Sequence, residues 1–127
     1  MTAGLAGAFL EAAQADLAAA ERLLPDLVRP AAYHLQQAAE KLGKAVLAGG
    51  GLVPPRSHDL GYLASLLPLD HALRAKLAAF DDLTVYHLAG RYPIGDALAP
   101  PPGTDELLER LRRLREFQAS VRSHLGR

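Results

Sequence analysis

The stretch from Ala31 to Ala48, AAYHLQQAAEKLGKAVLA, leaves room for only one kind of secondary structure. At about 100° per residue, Leu35, Ala39, Leu42 and Val46 fall on one side of a helix, the 4-3-4 spacing of a buried face. His34, Gln37, Lys41 and Lys44 repeat at 3-4-3 spacing and form a polar stripe beside it. Gln36 and Glu40 are i,i+4 neighbours elsewhere on the same helix. Pro30 suits a first helical position, where its missing N–H has no intrahelical partner to lose. Gly49, Gly50 and Gly51 end the helix, since glycine weakens helix interiors and supplies left-handed caps.

The rest of the chain reads the same way. Leu5, Phe9, Ala13, Leu17, Ala20 and Leu24 give a first helix from Thr2 or Ala3 to Leu24, stopped by Pro25. After a glycine- and proline-rich linker, Ser57 is the expected N-cap of a short helix from His58 to Leu67, with Asp59 in its first turn. Pro68 breaks it. A fourth helix follows from about Leu69, lined inside by Leu73, Leu77, Phe80, Leu83 and His87 or Leu88, and closed by Gly90. The segment from Gly90 to Gly103 is a long loop. A fifth helix begins near Thr104, the expected cap, with Leu107, Leu111, Leu114, Val121 and Leu125 as its apolar face. Glu106/Arg110 and Glu109/Arg113 are i,i+4 pairs there. The fold class expected is all-α: residues 1–127 as one domain, an up-and-down bundle of four longer helices plus one short helix.

Composition excludes several functions. Fourteen basic and fourteen acidic residues balance to zero net charge, which argues against broad electrostatic binding of nucleic acid. The five arginines Arg110, Arg112, Arg113, Arg115 and Arg122 interleave with glutamates and read as a solvated helix face. With no cysteine, disulfides, thiol catalysis and cysteine-ligated metal are out. His34, His58, His71, His87 and His124 show no i,i+3 or i,i+4 pairing, so no metal site is expected from spacing. Serine nucleophile, P-loop and dinucleotide motifs are missing, and no cofactor is implied. The N-terminus does not resemble a signal peptide and no apolar run is long enough to span a membrane, so a soluble cytoplasmic protein is expected.

Three pieces together resemble the HEPN family of small all-helical domains: Gln36-Gln37-Ala38-Ala39-Glu40-Lys41 with Lys44-Ala45, Ser57-His58-Asp59-Leu60, and Arg91-Tyr92-Pro93. The family resembles the helical C-terminal domain of kanamycin nucleotidyltransferase. The resemblance implies a helical bundle, usually dimeric, often encoded beside a small nucleotidyltransferase. Other members are metal-independent ribonucleases, many of them toxins, that use an arginine followed four to six residues later by a histidine. Here Asp96 stands where that histidine is expected after Arg91, and an aspartate is a poor acid at neutral pH.

The reading is therefore a non-catalytic HEPN-type bundle that binds a nucleotide or docks a partner nucleotidyltransferase. His34, Gln37, Lys41, His58, Arg91 and Tyr92 are the candidate ligand- or partner-binding residues, expected to converge on one groove. A histidine and a lysine on one stripe of a helix can hold a phosphate or carboxylate. The start of the short helix, with its orphan N–H groups, can meet a phosphate together with Arg91, and Tyr92 can stack on a base. The same residues also fit a plain polar boundary between core and solvent. The alternatives are a degenerate ribonuclease acting on RNA through Arg91 and Asp96, and a structural dimer of the antitoxin or scaffold kind.

Overall fold

A computed structural model describes residues 2–89 and 102–127. Arg91, Tyr92 and Asp96, named above, lie outside the described residues. The described chain is all-α. Three helices of 22 residues each carry the architecture: α1 (Thr2–Leu23), α2 (Val28–Gly49) and α6 (Thr104–Leu125). Between α2 and α6 lie three short helices, α3 (Leu60–Ser65), α4 (Arg74–Ala78) and α5 (Tyr86–Ala89), with a 3₁₀ turn at Asp81–Leu83 before α5.

The core is built mainly of leucine and alanine around α2, which packs most extensively on α1 and then on α6. Leu35, Ala38, Ala39, Leu42 and Ala45 are fully buried on α2, and Leu17, Leu63, Leu77, Leu83 and Leu114 close over them. Small alanines let helix axes approach closely, and the leucines fill the remaining space. Gly43 illustrates the closeness: a Cβ built there would sit 2.8 Å from Leu77 Cδ2. On α1 the buried stripe is Ala6, Leu10, Ala13, Leu17, Ala20 and Leu24, so Leu5 and Phe9 lie at its margin rather than in it.

Several boundaries differ from those read off the periodicity. α2 starts at Val28, so Pro30 sits inside its first turn, where it still forfeits no intrahelical bond. The expected fourth helix is broken into α4, the 3₁₀ turn and α5. Leu73, Leu77 and Leu83 face the core from short segments that bend around α2, which one straight helix would not do. On α6, Gly103 rather than Thr104 is the N-cap and adds no side-chain bond. At the other end Gly126 adopts φ 71°, the left-handed cap that glycine favours, and Arg127 N–H donates to Arg122 O at 2.8 Å.

The arginines of α6 find partners other than the expected i,i+4 glutamates. Arg110 pairs with Asp82 at 2.5 Å, Arg115 with Glu21 of α1 at 3.0 Å, and Arg112 with both Glu109 and Glu116. Each of these three cations is paired with an acid, which weakens them as a nucleic-acid patch. No helix of the described residues is long and apolar enough to cross a membrane.

Candidate functional site

From Tyr33 to Lys44, the polar groups on α2 occupy one arc of about 160° on the helical wheel, in the order Gln36, Glu40, Tyr33, Lys44, Gln37, Lys41, His34. Gln36, Gln37, Glu40 and Lys44 are buried there. Burying such groups is costly unless each is bonded, and the bonds made along the arc build two clusters.

The first cluster is centred on Asp16 of α1, itself buried. Its carboxylate accepts from Lys41 Nζ at 2.6 Å and meets His34 Nδ1 at 2.8 Å. His34 and Lys41 do lie together, as expected, but an acid from the facing helix already takes their polar heads. A phosphate approaching them must compete with Asp16. The stripe alone gave no sign of this. The available signal was an acid beside Ala13, Leu17 and Ala20, on the otherwise apolar face of α1.

The second cluster is centred on Glu40. Its Oε2 accepts from Lys44 Nζ at 3.1 Å. Its Oε1 accepts from Gln36 Nε2 at 3.3 Å and meets His58 Nδ1 at 2.8 Å. A chain of amides fixes the orientations. The backbone carbonyl of His58 can only accept, so Gln36 presents Nε2 to it, at 3.0 Å. Gln36 Oε1 therefore faces Gln37, whose Nε2 donates to it at 2.7 Å and lies 3.3 Å from His87 Nδ1. His87 Nδ1 thus accepts, while His58 Nδ1 donates to the carboxylate. The two imidazoles stack with centroids 3.6 Å apart and planes 17° from parallel. Tyr33 extends the row beyond His87, at 6.4 Å and 26°, and its ring also meets His34 edge-on.

The placement of His58 against His87 follows from how α3 begins. Asp59, not Ser57, is the N-cap: its Oδ1 accepts from Tyr62 N–H at 3.1 Å, while Ser57 Oγ accepts from Asp59 N–H. The N–H groups of Leu60 and Gly61 donate to Thr84 Oγ1 and Asp81 Oδ1, at 3.1 and 2.9 Å. Side chains thus occupy the donors that were expected to attract an anion, which corrects that reading of the helix start. The same bonds clasp α3 to the 3₁₀ turn, and this brings α5, with His87, beside His58. Next to His87, burial raises the Tyr86 phenol above its ordinary value of 10.0, with Glu106 and Asp82 adding to the effect.

Of the expected site residues, Gln37 and His58 meet through His87, and His34 and Lys41 meet on Asp16. Among the described residues, Tyr33 and the helix itself link the two groups. Asp16, Tyr33, Gln36, Glu40, Lys44 and His87 are the members that sequence reasoning did not single out for a site. Glu40 and Lys44 were visible only as part of a helical pattern, and His87 was read as lining the core.

The described fold is similar to the crystal structure of TT1696 from Thermus thermophilus, with a TM-score of 0.72 and 28% sequence identity over 93% of this chain and 96% of that one. A comparison with curated proteins gives no match. The family model for the HEPN domain matches residues 6–123, which spans all of α2, both polar clusters and nearly all of α6. On that match, carried by a helical fold with the buried polar seam just described, the chain belongs to the HEPN family.

Proposed function

We propose that this HEPN bundle is a non-catalytic binding module that takes a nucleotide, or docks a nucleotidyltransferase holding one, over the seam of α2. One observation carries the reading. Tyr33, His87 and His58 form a row of near-parallel rings, and His58 ends it with 48% of its side chain exposed. Flat rings at a surface take a base by stacking without needing to read its edges. Beside the row, Lys41 and His34 are partly exposed, at 27% and 32%, and supply donors to a phosphate in competition with Asp16. A bundle with a purely structural role has no need to hold four polar groups inside α2, where apolar residues of equal volume stabilise as well or better.

The test is titration of the purified full chain with ATP by calorimetry, alongside capture of partners from the native host. His58→Ala, Lys41→Ala and Arg91→Ala are each expected to weaken nucleotide or partner binding at least tenfold while the helical circular dichroism signal is kept. Unchanged affinity in all three variants overturns the proposal.

A further inference from the structure

Glu40, His58 and His87 come from three separate places: α2, the segment before α3, and α5. One ligand-type atom from each lies within 4.8 Å of the others. No spacing rule finds this set, because 18 residues separate Glu40 from His58 and the third member is further on. We propose that these three side chains form a binding site for a divalent metal ion of the zinc class. The inference does not rest on nucleotide or partner binding.

The donor set is the first argument. Two imidazoles and one carboxylate suit a borderline cation such as Zn²⁺ far better than Mg²⁺ or Ca²⁺, which take all-oxygen shells. Three protein ligands leave a position for water or an anion. The outer partners are the second argument. Metal ligands are usually held by a further shell of hydrogen bonds, and here the Glu40 carboxylate and the His58 backbone are so held. Lys44 holds Glu40 Oε2 and leaves Oε1 toward the histidines. Gln36 holds the His58 carbonyl. Access is the third: Glu40 is buried, whereas His58 is half exposed and opens the site to solvent.

Little has to move. His58 Nδ1 and Glu40 Oε1 are 2.8 Å apart. A metal bonded to both at about 2.0–2.2 Å sets them roughly 3–3.5 Å apart, an opening of a few tenths of an ångström. Both Nδ1 atoms face α2 partners, so the metal enters on that side. It takes the lone pair of His58 Nδ1 as the proton of that ring passes to the outward Nε2, and it displaces the long Gln37 contact at His87. Stacked rings cannot aim their in-plane lone pairs at one ion, so binding also tilts His58 out of its stack on His87. The Lys44 ammonium beside Glu40 opposes the added charge, so a water-derived hydroxide or an anion completes the shell.

The experiment uses the full chain, stripped with chelator and titrated with ZnCl₂ by calorimetry, with Co²⁺ absorption as a second readout of ligand number. One ion per chain is expected. His58→Ala and His87→Ala should each weaken binding at least tenfold. His71→Ala and His124→Ala, which alter a second histidine pair 4.9 Å apart, should leave it unchanged. Should His58→Ala prove unstable by circular dichroism, His58→Gln reads the same loss. Either no binding in the micromolar range, or binding that survives both His58→Ala and His87→Ala, overturns the proposal.

Discussion

Replacing Glu40 by methionine should unfold this protein more readily than replacing its partner Lys44 by the same residue, and replacing both should repair most of the damage. The side chains are 6% and 9% exposed and 3.1 Å apart. In Glu40→Met the Lys44 ammonium loses its carboxylate acceptor inside the bundle. An uncompensated buried charge of this kind costs about 3–5 kcal/mol. The His58 ring also loses its acceptor, but at 48% exposure it rehydrates, so it adds little. In Lys44→Met the carboxylate keeps its contacts with His58 and Gln36. The cost should then fall to about 1–3 kcal/mol, the ordinary loss of one hydrogen bond to a buried charged group. In the double variant neither charge remains, methionine fills the space of both stems, and stability should return to within about 2 kcal/mol of the parent. For a domain of total stability about 5–15 kcal/mol, the first substitution is a large fraction. It corresponds to a melting shift of roughly 10–25 °C for a chain of this size. Guanidinium unfolding followed by circular dichroism measures all three. The reasoning fails if Lys44→Met costs more than Glu40→Met, or if the double variant loses the sum of the two.

Other perturbations test separate parts of the account. Gly43→Ala gains about 0.5–1 kcal/mol of helix stability but drives a Cβ to within 2.8 Å of Leu77 Cδ2, in a core where overpacking costs about 1–3 kcal/mol. A net loss of about 0–2 kcal/mol in urea unfolding is expected from these two terms, and a net gain would show that α4 yields freely. Asp16→Ala should leave the fold intact, because Lys41 and His34 are partly exposed, and should strengthen binding of inorganic phosphate by freeing both donors. Unchanged phosphate affinity in nuclear magnetic resonance titration would deny that Asp16 competes with anions. Tyr86 has its folded value raised above 10.0, chiefly by burial, so its neutral form is favoured in the folded state. Its contribution to stability is complete below its ordinary value of 10.0 and is lost as pH rises through the folded value. Tyr86→Phe should therefore remove a component of the ultraviolet titration that ionises above pH 10.0.

How much of this was legible in advance depends on the range of the interaction. The three long helices follow from local pattern: apolar residues at helical spacing, Pro25 behind α1, and glycines behind α2. Periodicity reports which face is buried whatever covers it, so the all-α class was readable directly. It is blind to bending, which is why Leu73, Leu77 and Leu83 suggested one helix where the chain makes several short turns around α2. The cap at Asp59 was equally hidden. Ser57 and Asp59 are both good acceptors, and only the clasp of Leu60 and Gly61 to Thr84 and Asp81 selects between them.

The polar seam divides in the same way. That α2 carries histidine, glutamine, glutamate and lysine on one arc is a property of one helix, and the order of residues along it is enough to say so. Glu40 bonds Gln36 and Lys44 within the helix, but the partners at both edges of the seam are residues far along the chain. Asp16 occupies His34 and Lys41 from α1, and His58 and His87 reach Glu40 and Gln37 from across the bundle. A buried polar group must find a partner wherever the packed helices bring one. Which partner that is depends on how helices meet in space, and a helical repeat carries no record of it.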